Sequence, residues 1–336
     1  MQESRSENKN TLTASEIGYV WSGYMIDAMS IRFLSVFLEQ VQEERARSVL
    51  QIAMQLAVRQ NEVRRTLLSG EQFPIPLGFK DEEVRPDMPA LFTDRFFLHY
   101  MMNASRLGLH YHAECLSVSV REDMRQFASQ SLGHTIELYR LTVEQLRASG
   151  EYTAHPSIPA PEQPEHIQKE SFLQGWLGDT RPLHSMEIAN LYKAAEIIAI
   201  LEALCTAFAQ TAQDPEVRTL LQRARMQTKQ LSEQIAGMLT KDDLPLVASR
   251  EADVTGTTRA SFSDRLMLCH VSGMMGSFIT HCGQSLGSVM KHDLLVLYME
   301  LIAEAGTLTE EATKLLIARE WLEKTPGAVD RAALIR

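Results

Sequence analysis

The sequence lacks most of the signatures by which chemistry announces itself. It holds no GxGxxG or Walker-type phosphate loop, no HExxH and no EF-hand loop, which removes the usual patterns for dinucleotides, nucleoside triphosphates, zinc proteases and calcium. Cysteine is scarce. Cys115, Cys205, Cys269 and Cys282 form no CxxC pair and sit in apolar stretches, where a thiol acts as a small hydrophobe and a reducing compartment is expected. Positive charge is outweighed, 33 Lys and Arg against 43 Asp and Glu, giving a net charge of -10. That balance argues against nucleic acid and anionic lipid surfaces as partners. The polar start MQESRSENKN carries no apolar signal segment, so a cytoplasmic chain with a loose tail over 1–11 is expected. Between Arg265 and Lys291 there is no charged residue at all, a gap long enough to cross a bilayer. The polar Ser272, Ser277, Thr280, Gln284, His270 and His281 inside it predict a buried core helix and no membrane span.

What the chain does have is an echo of itself. SFSDRLMLCH at 261–270 reads almost like LFTDRFFLHY at 91–100, and the match extends in both directions. SEIGYVW from Ser15 lies over MEIANLY from Met186, so Glu16 pairs with Glu187 and Trp21 with Tyr192. Gln72, Phe73 and Pro74 lie over Asp243, Leu244 and Pro245, and after a slip of one residue Arg121 and Asp123 meet Lys291 and Asp293. A repeat on this scale predicts two similar domains in tandem.

Within each half the apolar spacing is helical and there is little strand signal. Val20, Tyr24, Ile31, Leu34, Leu38 and Val41 step along one helix face. After the charged break Glu43-Glu44-Arg45, a second run through Val49, Ile52, Leu56, Val63 and Leu67 ends near Gly70. EQFPIPLGFKDEEVRPDMPALF, with four prolines, cannot be helical throughout. Further helices are predicted from Asp94 to about Val118 and from Glu122 to about Arg147, and in the second half near 185–211, 215–239, 263–289 and 292–323. Asp214-Pro215 opens one of them, with Pro in the first turn.

Helices of about 27 residues are about 40 Å long, and a crossover of about 20 residues reaches about 66 Å when extended. Short, long, short connections of this kind make a ferritin-like four-helix bundle. The expectation is an all-α chain of two tandem ferritin-like bundles: a tail over 1–11, bundles over 12–149 and 183–325, a proline-rich linker over 150–182 whose FLQGW segment (Phe172, Leu173, Trp176, Leu177) docks onto a bundle, and a tail over 326–336. The echoed segment is a helix start. Thr93 and Ser263 are predicted N-caps, Asp94 and Asp264 favour the dipole, and Phe92 with Phe97, or Phe262 with Met267, are spaced as staples.

SFLQGWLGDTRPLHSMEI, DVTGTTRASFSDRLM and the halved architecture resemble the tandem ferritin-like proteins of spore-forming bacteria classed as domain-of-unknown-function family 3231, which are similar at a distance to spore coat F-type proteins. The resemblance spans roughly 12–325 and is most specific at SFSDRLM. It implies two ferritin-like bundles, a link to sporulation and spore-coat partners, and no established activity.

Ferritin-like bundles often hold two metals through Glu-x-x-His pairs, yet no Glu here has a His three residues on. Asp27 aligns with Ile198, while Glu196 and Glu202 align with Met25 and Ile31, so neither half keeps the other's mid-helix acid. A weaker set lies on the third helices. His99, His110 and Glu114 are eleven and four residues apart and share a face, with His112 nearby, and His270 and His281 repeat the eleven-residue spacing one position off register. These are candidate ligands for a transition metal such as zinc or iron, or ordinary histidines satisfied inside bundle cores. His134 with Glu137 reads as a surface pair, and His184 with Glu187 as part of a helix start. Gly273, Gly276, Gly283 and Gly287 share one helix at about 1 kcal/mol each against Ala, which predicts close approach by a neighbouring helix or a homodimer seam. The leading expectation is a non-enzymatic structural or interaction protein without a cofactor. The alternative is a small-ligand or metal-binding bundle, or a redox enzyme, that uses the third-helix histidines.

Overall fold

The computed structural model describes residues 11–175 and 181–335, and these are helical almost throughout. The first half comprises α1 (Ala14–Gln40), α2 (Glu44–Gly70), α3 (Asp94–Val118) and α4 (Glu122–Ala148), and the second α5 (Ser185–Thr211), α6 (Pro215–Thr240), α7 (Asp264–Leu286) and α8 (His292–Ala318). Each half pairs its helices one with two and three with four through short turns, and a long crossover joins two to three. The predicted two-bundle architecture is therefore the observed one. The last helix stops at Ala318, short of the expected 323, because Glu320 takes positive φ and the Arg319, Glu320 and Trp321 N–H groups close back on carbonyls of the final turn. Its counterpart at the end of α4 is Gly150, also at positive φ.

Two buried or half-buried carboxylates hold each bundle's turns. Glu16 forms a capping box with Thr13 and accepts from the Val120 and Arg121 N–H groups in the α3–α4 turn, both at 2.9 Å. Glu187 repeats this in the second half: it boxes with the N-cap His184 and accepts from Met290 and Lys291 at 3.1 and 3.3 Å. Burial pushes the Glu187 carboxyl upward, but Arg181 and the His184 and Met290 N–H groups bring it down to about 2. At the other end, Asp94 accepts from the Gln42 and Glu43 N–H groups, and Asp264 from those of Gln213 and Asp214 at 2.9 and 2.8 Å. Acids that read as first-turn dipole partners thus also cap the neighbouring helical hairpin.

The two bundles share one continuous apolar core. Phe33 of α1 meets the rings of Phe208, Phe262 and His270 at 6.0, 4.4 and 4.3 Å. The crossovers pair with each other about an approximate two-fold axis, through bridges between Val84 and Phe262 and between Phe92 and Val254. Thr93 N–H donates to Asp253 O (2.8 Å) and Ser263 N–H to Glu83 O (2.7 Å); Arg85 N–H donates to Ser261 O (2.8 Å) and Thr255 N–H to Leu91 O (2.9 Å). Arg265 reaches Glu83 at 2.7 Å while its equivalent, Arg95, approaches Asp253 at 3.7 Å.

The helix-start expectations are corrected in detail. Ser263 caps its own helix by accepting from Leu266 N–H, but the Thr93 hydroxyl turns across to Asp253 (3.3 Å). Phe92 stacks on Phe96 at 3.9 Å, not on Phe97, which packs against Phe37. The most buried helix is α5, with an unbroken buried run from Ile197 to Ala209, whereas α7 leaves Gly273, Thr280, Gly283 and Gln284 exposed. Close approach at the α7 glycines is not found: a Cβ at Gly273, Gly276 or Gly283 would meet nothing within 4 Å. Among the described residues no helix is long and apolar enough to cross a membrane. After α4, Tyr152 packs on the core and His155 lies against Tyr192 with centroids 4.8 Å apart. Of the FLQGW segment, Phe172 sits under the Arg181 guanidinium at 4.0 Å, while Trp176 and Leu177 lie outside the described residues.

Because Asp94 and Asp264 each satisfy two hairpin N–H groups, Asp94→Ala and Asp264→Ala should each lower stability by about 1 to 2 kcal/mol. Urea denaturation of the two variants, with matched losses, checks the equivalence.

Candidate ligand cavity in the first bundle

The two copies differ most in their interiors. Midway along α1 the first bundle has Asp27, and from α2 Arg64 reaches it through a direct Nη1 to Oδ2 ion pair. These side chains are only 5% and 2% exposed, so the pair lies in the bundle's middle. Gly23 makes this possible, because a Cβ there would collide with the Arg64 guanidinium. Phe127 and Tyr111 face that guanidinium at 5.0 and 5.9 Å. The Tyr111 hydroxyl donates to Tyr19 O and lies 3.0 Å from Ser22 Oγ. Among the described residues, Arg64 Nε, His112 Nδ1 and His270 Nδ1 are buried without a hydrogen-bond partner.

A cavity of about 290 Å³ runs from this pair, between α1 and α3, to α7 of the second bundle, and opens to solvent where exposed Ile26 and Gly273 line it. Its walls are mostly apolar, including Leu34, Leu56, Met101, Leu107, Leu138 and Met274. Asp27 and Arg64 are the charged residues on it, joined by polar Tyr111, His112, Thr135 and His270. Its size falls near the lower end of small-molecule pockets.

The repeat offset places Ala194, Ile198 and Ile235 where the first bundle has Gly23, Asp27 and Arg64, and Phe278, Cys282 and Ala305 where it has Gly108, His112 and Thr135. Ile198, Ile235, Phe278, Cys282 and Ala305 are all fully buried. The second bundle packs apolar side chains in the place where the first holds charge and space. A Cβ at Gly108 would already press on Thr135 Cγ2 at 3.1 Å.

Burial sets the electrostatics. It pushes the Asp27 carboxyl up to about 7 despite Arg64. His112 falls to about 3, by burial first and Arg64 second, and His270 to about 3 by burial alone. Burial likewise pushes Cys205 and Cys282 up to about 12 and raises Cys115, which keeps these thiols protonated and unreactive.

The histidines and the acid singled out from the sequence are dispersed. His112 and His270 both line the cavity, and His270 Nε2 lies 3.2 Å from the Tyr100 hydroxyl. His99 stands on the opposite side of the interface, in a smaller recess with Tyr152 and Glu196, its Nε2 3.7 Å from Glu151. The Lys193 ammonium reaches His110 Nε2 at 2.8 Å, His281 Nε2 lies 2.9 Å from Asn190 O, and Glu114 is exposed. Among the described residues no three His, Cys, Asp or Glu side chains are placed to hold one metal ion. Sequence reasoning missed Gly23, Arg64, Gly108 and Tyr111. The signal that finds them is mismatch between the copies, read at positions whose neighbours match.

An all-α chain of duplicated bundles, one of them with a mostly apolar cavity that ends on a buried ion pair, is the class this geometry defines. The chain belongs to the family described as "Protein of unknown function (DUF3231)", whose profile matches it twice, over residues 2–163 and 171–334. One solved structure, a Bacillus halodurans protein described as a "putative spore coat protein", is 18% identical, with a TM-score of 0.40, covering 45% of this chain and 98% of its own. No curated protein matches the chain.

Two predictions follow from the interior. Gly23→Ala alone should cost about 1 to 3 kcal/mol by overpacking, whereas Gly23→Ala with Asp27→Ile and Arg64→Ile, which copies the second bundle, should remove that cost; urea denaturation of both variants measures the non-additivity. Acid should also destabilise the fold. His99, His112 and His270 stay neutral to about pH 3 and His281 to about pH 4 in the folded chain, against an ordinary 6.5, so only the unfolded chain gains these protons as pH falls below 6.5. Asp27, pushed up to about 7, and Glu151 and Glu202, also raised by burial, work the other way, but they are outweighed by the four histidines together with Glu187, which is held down to about 2 and resists protonation in the folded chain. The urea midpoint should therefore drop steadily from pH 6.5 to pH 4.

Proposed function

We propose that this is a non-catalytic binding protein whose first bundle holds a small, largely apolar molecule and whose second bundle is a close-packed scaffold. The observation that carries the reading is the 290 Å³ cavity in one copy of a fold whose other copy fills the equivalent positions with Ile198, Ile235 and Phe278. Empty apolar volume costs stability, and the sister copy supports the view that the fold does not require it. The structural or interaction role expected from the sequence is retained in the scaffold half. The inert thiols and the dispersed histidines favour binding over catalysis.

The test is thermal stabilisation by small amphiphiles of about ten non-hydrogen atoms. Saturating ligand should raise Tm of the wild type, by linkage worth about 2.7 kcal/mol at a hundredfold excess over Kd. It should leave unchanged Gly108→Phe/Thr135→Ala, which imports the second bundle's Phe278 and Ala305 into the cavity, and the milder Ala104→Leu, at another residue of the cavity wall. Equal shifts in wild type and both filled variants would remove the cavity from the account. We also propose a role linked to sporulation, which the family resemblance implies. Immunoblots of purified spores against vegetative cells should find the protein in the spore fraction, and its absence there would end that part of the proposal.

A further inference from the structure

The character of the ligand follows from what Arg64 leaves undone, and this step rests on the binding reading above. A guanidinium has five N–H donors in a planar fork that matches a carboxylate in two places. Among the described residues the hydrogen-bond partner of Arg64 is Asp27, and its Nε has none. The rest of the group faces the rings of Phe127 and Tyr111. An arginine this deep, with donors to spare at one end of an apolar cavity, is built to receive more than one acid.

The pair is also not needed for the fold. The second bundle closes over Ile198 and Ile235 in the same places, and replacing a buried ion pair by well-packed apolar groups is often neutral or stabilising. Retaining charge and hollow space together in one copy therefore points to a molecule that uses both.

We propose that the cavity takes a small anionic amphiphile, a carboxylic acid or a head of like charge and shape, with its head on Arg64 and its apolar body along Leu34, Leu56, Leu107 and Leu138. A cavity of about 290 Å³ holds about ten water-sized groups, the size of an eight-carbon acid. Asp27 supports this arrangement. Burial has raised it to about 7, so it takes up a proton readily and yields its place on Arg64 to the incoming acid. The other titratable groups on the cavity, Tyr100, Tyr111, His112 and His270, are held in their neutral forms by burial and do not compete for the guanidinium.

The experiment is isothermal titration calorimetry of the full chain at pH 7 with octanoate, 1-octanol and octylamine. Octanoate should bind at least tenfold more tightly than the other two. Arg64→Met should erase that preference and leave octanol binding in place. Asp27→Asn should strengthen octanoate binding, or, if it weakens the fold, make octanoate restore its Tm where octanol does not. Octanol or octylamine binding as tightly as octanoate, with Arg64→Met changing nothing, would overturn the anionic head while leaving the cavity reading intact. Binding of none of the three by wild type would overturn both.

Discussion

Backbone polar groups that leave a helix must find partners, and the two crossovers find them in each other. Neither crossover has a sheet to join, and each carries several prolines or a run of short polar residues. Their N–H and C=O groups are satisfied by reciprocal bonds such as Thr93 to Asp253 and Ser263 to Glu83. The same contact places Phe262 against Phe33 and Phe37 and so joins the two cores. The helices add contacts of their own between the bundles, among them Arg106 with Glu196 and Lys193 with His110.

Against this near-symmetry the interiors diverge. Gly108 is replaced by Phe278 and Arg64 by Ile235 within helices of the same order and nearly the same length. Paired positions still do paired work at the ends of the helices, where Glu16 and Glu187 or Asp94 and Asp264 bind the same turns. Helix ends are constrained by hydrogen bonds that either copy must satisfy. The middle of a bundle is constrained only by packing, which tolerates several solutions.

That contrast explains what was legible. Helix positions, the long crossovers and the duplication could be read directly, because apolar period, proline and acid-bearing helix starts are local signals. The end of α8 was overestimated because its stop is Glu320 at positive φ, a conformation not written in the residue type. The α7 glycines promised a close neighbour and instead face open space, since a missing side chain does not say which side of a helix is covered. The histidines were legible as residues but not as a site. His99 and His112 stand on different faces of α3, one turned toward the linker and one toward Arg64. Asp27 looked idle because Ile198 opposes it, yet that mismatch is the mark of the cavity.

Fusing two copies into one polypeptide releases them from a rule that binds any assembly of identical subunits, in which each substitution appears twice. Here one lobe can be hollowed while the other stays solid. The solid lobe serves as ballast: through the shared core around Phe33, Phe208 and Phe262 it braces the wall that the two lobes have in common. A free-standing bundle with that much unfilled volume would have no such support, whereas this one is braced along a close-packed flank.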